Sequence, residues 1–554
     1  MTFGKLSPNR LLILLILFAV VFLLTGLGSN QLIDWDENIY AEASRQMMVR
    51  GDYLNVMING VNFAEKPPLF FWEQILSFKL FGINEFAARL PSAIAGILMM
   101  GLCFFVGSRI HSPQLGLIWG IVFLTALIPS SLARASAIDH TFNLFIAAAV
   151  FSLYLFDQRF ALYLHNEARG LSPSRKKHLA YLTIGSVCLG LAFLTKSPLG
   201  SVIALAAFTG YKVMNWQPAI RIKHFLFCAI LSLAIALSWY TVNWLVYGGN
   251  FIADFIQFQL RVFSEPMQGH EGPVYYHFVI GLLGMLPWTA FLFVLKARPL
   301  MDTNPKFRHV FYLAVSWIGF VLIITSLVST KLPHYSASIY IPLSLLIAYV
   351  LVEKINSKQR LPKWSIGLFV ALGLIMSVGT MMVPRFADQF LTDKKITFTF
   401  HWPTALYFAG SLMIGLSLVA SFLFLRNKIK AGIVITAVLM LVFTQNLWQN
   451  LMPPFLSYNQ QPLLEMVDDA YQKGNKVVFY RFVSFAALFY GKKPIDMLYT
   501  DKFNADPKIL AQRHNKDLEI VSDISNKKRL LKEYPLVEHV RDKGTFSLFI
   551  IRRQ

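Results

Sequence analysis

The amino-acid sequence predicts a mainly α-helical membrane protein that crosses the bilayer many times. Of its 554 residues, 55% are hydrophobic and only 15% are charged, whereas a soluble domain carries about 25% charged residues. The hydrophobic residues fall into runs of about 18, which is long enough for a helix to span a bilayer. Thirteen such runs are predicted as transmembrane helices, at 11–27, 91–108, 115–133, 141–158, 179–195, 199–214, 224–246, 274–295, 309–328, 336–352, 364–383, 404–425 and 431–450.

The basic residues are concentrated in every second connecting loop. Examples are Arg175, Lys176 and Lys177 in one loop and Lys296 and Arg298 in another. With thirteen helices all of these basic loops lie on one side, which the positive-inside rule identifies as cytoplasmic. The N-terminus is therefore predicted inside and the C-terminal segment outside. The net charge of +21 reflects this topology and does not indicate nucleic-acid binding.

The segments predicted on the outer side carry acids, histidines and aromatic residues instead of lysine blocks. In the first of them, 28–90, helical spacing predicts an interfacial helix over Glu37–Val49 and a second over 69–81. The tail loses its long apolar runs, and it is predicted to form a small α/β domain. Its strands are expected at 476–482, 518–521 and 545–552, with a helix at 526–534. The predicted domains are a transmembrane domain, 1–452, and a periplasmic domain, 453–554.

Two polar motifs stand out in the first outer segment. Asp36 and Glu37 precede the predicted interfacial helix, so they could simply cap it. The alternative is a carboxylate that acts as a base or orients a substrate near the bilayer surface, and the sequence leaves both open. Glu65 and Lys66 are followed by two prolines, which make the backbone rigid. A fixed carboxylate and ammonium at headgroup depth suit a metal or a phosphate.

Polar residues on the same predicted side also occur at helix ends further along the chain. Asp139 begins the fourth helix, where a capping role is the alternative to a functional one. Lys196 ends the fifth helix, where a lysine could either extend to the surface or contact a phosphate. His270 lies between glycines, which permit close approach of a ligand. Tyr335 ends the motif Lys-Leu-Pro-His-Tyr, whose simpler interpretation is an interface anchor.

These motifs together resemble the C-type membrane glycosyltransferases, particularly the lipid A aminoarabinose transferases and their protein mannosyltransferase relatives. The resemblance covers most of the chain. It rests on Asp36-Glu37 with Tyr40-Ala41-Glu42, Gly51-Asp52, Glu65-Lys66-Pro67-Pro68, Leu80-Phe81-Gly82, Gly190–Lys196, Lys331–Tyr335, Phe489-Tyr490-Gly491 and Lys493-Pro494. It differs in the first segment, where aminoarabinose transferases usually carry Asp-Glu-Thr-Arg-Tyr and this chain has Asn38 and Ile39 in the middle.

The resemblance implies a role for each candidate site residue. The candidate catalytic residues are Asp36, Glu37 and Asp139. The candidate phosphate-binding residues are Tyr40, Lys66, Lys196, Arg261 and Tyr335, where Arg261 replaces an arginine that the family carries after the loop histidine. The candidate metal ligands are Glu65 and His270, with zinc, magnesium or manganese as the divalent metal.

The implied reaction transfers a sugar from a polyprenyl (undecaprenyl) phosphate to an acceptor at the outer face of the bacterial inner membrane, with inversion. The expected acceptor is lipid A, whose ionised phosphate can attack unaided. A protein hydroxyl is the alternative, and it would need Asp36 as general base. A lipid-linked sugar flippase is the alternative from another class, although no internal repeat supports it. The chain is expected to act as a monomer on membrane lipids, without nucleic acid.

Overall fold

A computed structural model of the chain describes residues 7–169, 176–215, 221–266, 270–393, 398–498 and 517–552. Helices dominate this part of the chain up to residue 472. The helices are α1 Pro8–Leu24, α2 Asp36–Arg50, α3 Leu69–Phe81, α4 Glu85–Ile110, α5 Pro113–Leu124, α6 Leu127–Arg134, α7 Ile138–Ala168, α8 Lys176–Thr195, α9 Leu199–Asn215, α10 Ile222–Tyr247, α11 Asn250–Ser264, α12 Tyr276–Gly284, α13 Thr289–Leu292, α14 Ala297–Thr303, α15 Pro305–Leu327, α16 Tyr340–Asn356, α17 Lys363–Asp393, α18 Thr404–Leu425, α19 Ile429–Asn446, α20 Met452–Asn459, α21 Gln461–Gln472, α22 Phe485–Gly491 and α23 Lys527–Glu533. A 3₁₀ segment, Pro333–Ile339, precedes α16, and a π-helical turn, Leu447–Leu451, joins α19 to α20.

The chain is a multi-pass membrane protein. Within the described residues, nine helices are long and apolar enough to cross a bilayer, and the pair α5 and α6, bent by 72°, makes a tenth. The predicted number of thirteen is not confirmed. Of the remaining predicted spans, 11–27 and 199–214 correspond to α1 and α9, each of 17 residues. The span 274–295 is divided into α12 and α13, so that stretch is not one continuous helix.

Local sequence signals explain where several spans begin. Ser7, Asn84, Ser112 and Asn304 are the N-caps of α1, α4, α5 and α15, and each side chain accepts a hydrogen bond from a backbone N–H in the first turn. Such caps satisfy donors that the helix itself cannot. Proline occupies the first turn of α1, α5 and α15, where its missing N–H is not needed.

Burial separates central spans from lipid-facing ones. The most apolar stretch of α7 is 89% buried and that of Pro333–Asn356 is 94% buried, whereas the stretch in α10 is 22% buried. The first two therefore form the centre of the bundle. The α10 helix faces the lipid, because an apolar helix surface that packs against no protein needs hydrocarbon around it.

The segment between α1 and α4 is ordered as predicted. The first interfacial helix, predicted over Glu37–Val49, is α2, and the second, predicted over 69–81, is α3. Between them lies a short antiparallel hairpin of β1 Met57–Ile58 and β2 Val61–Asn62.

The described residues of the C-terminal part form a five-stranded mixed sheet. Its strands are β3 Lys476–Tyr480, β4 Asp496–Leu498, β5 Leu518–Asp523, β6 Glu538–Lys543 and β7 Phe546–Ile551, in the order β4-β3-β5-β7-β6. The three predicted strands and the predicted helix at 526–534 are confirmed as β3, β5, β7 and α23. The strands β4 and β6 were not predicted, because β4 has only three residues and β6 is exposed throughout, without a buried apolar alternation. The helical path Ile429–Asn459 continues past residue 452, so the predicted domain boundary lies within it.

Candidate active site

Five separate segments bring charged and phenolic side chains together at one end of the spans. They are the first turn of α2, the residues before α3, the start of α7, the end of α8 and the start of the 3₁₀ segment before α16. These side chains interact electrostatically with one another. We call them the acid–lysine cluster, which consists of Asp36, Tyr40, Glu65, Lys66, Asp139, Lys196, His334 and Tyr335.

One of the two lysines in the cluster is neutralised by a carboxylate. The Lys196 ammonium donates to Asp139 Oδ1 at 2.6 Å, with the side chains only 16% and 6% exposed. The same ammonium lies 5.3 Å from the centre of the Tyr335 ring, a favourable cation–π arrangement. A buried charge needs such a partner, so this pair both fixes α8 against α7 and leaves Lys196 with little net charge for a ligand.

The other lysine, Lys66, is placed differently. Its ammonium lies 4.8 Å from the centre of the Phe258 ring on α11. Among the described residues it forms no ion pair within 4.0 Å, although Glu65 and Asp36 act on it from further away. Burial lowers the pKa of the Lys66 ammonium, and Glu65 opposes this shift. A half-buried cation that no carboxylate contacts directly is well suited to an incoming anion.

Asp36 and Tyr40 lie one turn apart at the start of α2. Asp36 is exposed, and Tyr40 is 6% exposed. Burial raises the pKa of the Tyr40 phenol well above its usual value, and Asp36 adds to the shift. The phenol of Tyr40 therefore stays protonated and can donate a hydrogen bond. The residue before the helix, Trp35, has φ 74°, a backbone conformation that is strained for a bulky residue.

The structure places Glu37 outside this cluster. Its carboxylate accepts two hydrogen bonds from Arg89, both at 2.8 Å, and one each from the backbone N–H groups of Ser136 and Ile33. Arg89 also donates to the carbonyls of the turn before α2, at residues 27, 30 and 31. This buried network holds the segment between α1 and α2 in place, so the geometry favours a structural role over the predicted catalytic one.

No hydrogen bond or ion pair among the described residues joins Arg261 or His270 to the cluster. Arg261 is exposed on α11, 4.0 Å from Glu265. His270 has an exposed side chain, and its carbonyl accepts from the Lys331 N–H at 2.9 Å. The Lys331 ammonium donates to three carbonyls at the end of α15, so this lysine caps the C-terminus of that helix. The roles of Arg261 in phosphate binding and of His270 in metal binding remain predictions.

A metal site is not assembled by the described residues. None of their histidines, cysteines, aspartates and glutamates form a group of three that could hold a metal ion. Glu65 and His270 therefore provide an incomplete ligand set in this part of the chain.

Sequence reasoning assigned no role to His334. The imidazole is half-buried and interacts electrostatically with Asp139, Lys196, Asp36 and Lys66. Its neighbour Tyr335, the candidate phosphate ligand, lies with its ring centre 5.0 Å away. The signal was present in the Lys-Leu-Pro-His-Tyr motif, where two polar side chains precede a buried helix.

Comparisons with known proteins agree on one group of membrane transferases. Residues 11–259 match the family model described as dolichyl-phosphate-mannose-protein mannosyltransferase. The chain superposes on the crystal structure of ArnT from Cupriavidus metallidurans bound to undecaprenyl phosphate with a TM-score of 0.78, at 19% identity and over 98% of both chains. The chain has the fold of ArnT. It also resembles the C-type membrane glycosyltransferases in sequence, as its motifs predicted.

The curated relatives extend this resemblance. Undecaprenyl phosphate-alpha-4-amino-4-deoxy-L-arabinose arabinosyl transferase of Aeromonas salmonicida is 27% identical over 388 residues, which is 67% of this chain and 66% of the relative. The protein of the same name from Edwardsiella ictaluri is 28% identical over 66% of this chain and 64% of its own length. The chain thus spans just under two thirds of these relatives. The oligosaccharyltransferase AglB from Archaeoglobus fulgidus shares the ArnT-like fold more distantly, with a TM-score of 0.56.

Proposed function

We propose that this chain is a membrane glycosyltransferase that takes its sugar from a polyprenyl-phosphate donor. The observation that carries this proposal is Lys66, a half-buried cation without a direct ion-pair partner among the described residues, placed in one cluster with Asp36 and Asp139. A lipid phosphate at headgroup depth would supply the missing anion. The names of the relatives and the ArnT fold support the same donor class.

The proposed reaction is a single displacement at the anomeric carbon. An acceptor oxygen forms the new bond while the bond from that carbon to the phosphate oxygen breaks, and the electron pair remains on the phosphate. The phosphate therefore gains part of a negative charge in the transition state and one full charge in the product. Lys66 stabilises that charge from a fixed position, which is the way oxyanion stabilisation contributes to rate. Tyr40 and Tyr335 offer phenol hydroxyls to the same phosphate.

Lipid A is the acceptor that we propose, because the sequence motifs resemble those of the lipid A aminoarabinose transferases, and the curated relatives are named as transferases of the same sugar. Its phosphate is already ionised, so Asp36 would orient the reacting groups. A protein hydroxyl is the second candidate, favoured by the description of the matching family model. In that reaction Asp36 would accept the hydroxyl proton. The one-sided position of the cluster speaks against a flippase, which would need polar groups at the membrane midplane.

The test is transfer by the purified chain with an undecaprenyl-phosphate sugar and either lipid A or a serine-containing peptide. Trp35, not Asp36, is the N-cap of α2, and no side chain of the described residues caps that helix. Asp36→Asn therefore keeps the size of the side chain and removes its charge. We expect it to purify normally and to lose transfer activity by about 10²-fold. Asp468→Asn, an exposed aspartate on α21, is the matched control and should keep wild-type turnover. If Asp36→Asn keeps full activity, Asp36 has no role in catalysis. If wild type transfers sugar to neither acceptor, the proposed function is contradicted.

A divalent metal shared by Glu65 and His270 remains a separate proposal. Carboxylate and imidazole ligands suit zinc or manganese. Metal content of the purified chain should fall in both Glu65→Ala and His270→Ala. Equal metal content in wild type and both variants would remove the site.

We also propose that the N-terminus is cytoplasmic and that residues 453–554 are periplasmic, so that the acid–lysine cluster faces the periplasm of the bacterial inner membrane. The alternation of basic loops supports this orientation. A reporter that is active only in the cytoplasm, fused after Gln554, should be silent, while the same reporter fused before α1 should be active. A strong signal from the C-terminal fusion would place residues 453–554 in the cytoplasm and contradict the proposed orientation.

A further inference from the structure

The C-terminal sheet and the first two interfacial helices share one hydrophobic core. Ile39 and Tyr40 on α2 pack in the same cluster as Phe71 on α3, Met466 on α21 and Phe479 on β3. Hydrogen bonds reinforce this packing, because Asn59 exchanges two of them with the backbone of Ile495. The sheet is therefore built onto the segment that carries Asp36.

A polar contact between the two parts of the chain is made by Asp34, two residues before Asp36. Its Oδ2 accepts from the hydroxyl of Ser484 at 2.6 Å. Its Oδ1 accepts from the backbone N–H groups of Phe485 at 2.9 Å and Ala486 at 3.0 Å, which are the first two residues of α22. Ser484 is also the N-cap of α22. One carboxylate thus binds three donors of the C-terminal domain.

The same carboxylate is tied to the start of α2. Asp34 Oδ1 accepts from the N–H of Trp35 at 2.8 Å, and the Trp35 ring packs edge-on against Phe485 with centres 5.6 Å apart. Trp35 is the residue with φ 74°, and its carbonyl accepts the N–H of Ile39 at 2.7 Å. A strained backbone persists only where its surroundings hold it, and here the C-terminal domain provides part of those surroundings, beside the Glu37–Arg89 network.

We propose that Asp34 is a positioning residue for Asp36: through its bonds to Ser484 and α22, the C-terminal domain holds the strained start of α2 and so directs the Asp36 carboxylate into the acid–lysine cluster. The C-terminal domain is then a working part of the active site, although it contributes no group to the cluster among the described residues. This inference rests on the proposed function for its kinetic test and is independent of it for its structural test.

The structural test is hydrogen exchange of the purified, full-length chain, followed in peptides that cover residues 34–42. Ser484→Ala removes one donor to Asp34 and leaves the first loop unchanged in sequence. We expect exchange of the Ile39 amide to become about fivefold faster, since its hydrogen bond depends on the Trp35 carbonyl. Ser112→Ala is the matched control, because Ser112 is the N-cap of α5 and is far from α2 in the chain. If exchange in Ser484→Ala is unchanged, the contact between Asp34 and Ser484 does not hold the start of α2, and the proposal is wrong.

The kinetic test uses Ser484→Ala and Asp34→Asn in the transfer assay. We expect kcat to fall about tenfold while KM for the lipid donor stays within about twofold of wild type, since misplaced reacting groups affect the chemical step. In an Asp36→Asn background, Ser484→Ala should cause no further loss. If Ser484→Ala exchanges faster but keeps the kcat of wild type, the contact holds the start of α2 without positioning Asp36 for catalysis. If the wild-type protein is inactive, the proposed function is contradicted. The exchange measurement would still show whether the Asp34–Ser484 contact holds the start of α2.

Discussion

Lys66→Met is expected to lower kcat/KM for sugar transfer by about 10²–10³-fold, the size of effect seen when one fixed donor to a developing oxyanion is removed. Methionine keeps an apolar stem of similar length and removes the ammonium, which lies 4.8 Å from the centre of the Phe258 ring. The loss should appear in kcat as well as in KM, because the phosphate becomes more negative as the bond to the sugar breaks. Initial rates at varied donor concentration measure both constants.

The matched control for this prediction lies in the same segment. Lys79 on α3 also stacks on an aromatic ring, with its ammonium 4.7 Å from the centre of the Tyr53 ring, but it is exposed and has no part in the cluster. Lys79→Met should stay within about twofold of wild type, since an exposed cation–π contact contributes little. Equal losses for the two variants would show that Lys66 acts through general packing, and normal turnover by Lys66→Met would remove it from phosphate binding.

Arg89→Leu is expected to lower the free energy of unfolding by about 3–5 kcal/mol, because it leaves the buried Glu37 carboxylate without its partner. Arg89 and Glu37 have side chains that are 1% and 5% exposed. Thermal unfolding of the detergent-purified protein should therefore begin at a clearly lower temperature. The double variant Arg89→Leu with Glu37→Leu should recover much of the loss, since no uncompensated charge remains.

Two comparisons make the stability prediction specific. Arg552→Leu breaks an ion pair whose side chains are 73% and 62% exposed, and it should change stability by less than about 1 kcal/mol. If Arg89→Leu were equally mild, the Glu37 network would not hold the turn before α2. If Glu37→Gln kept the stability of wild type but lost transfer activity, Glu37 would have a catalytic role in addition to its structural one.

The candidate site shows which residues a single sequence can identify. Lys66 and Asp139 were recognisable because a charged residue next to an apolar run is costly unless it has a function or a partner. Glu37 carried the same signal for a different reason: its partner Arg89 is 52 residues away, and no local pattern reveals that pairing. His334 was overlooked because an isolated histidine beside a lysine and a tyrosine resembles an ordinary interface residue.

The sequence by itself determined the membrane class, the helices α2 and α3, and the strands β3, β5 and β7, since all of these follow from the spacing of apolar residues along a helix or strand. Only the tertiary structure decided which charges compensate one another. It paired Lys196 with Asp139 and Arg89 with Glu37, left Lys66 without a direct ion pair among the described residues, and joined Asp34 to Ser484 across 450 positions. Apolar periodicity is local, whereas the pairing of buried charges depends on which distant elements the packed core brings together.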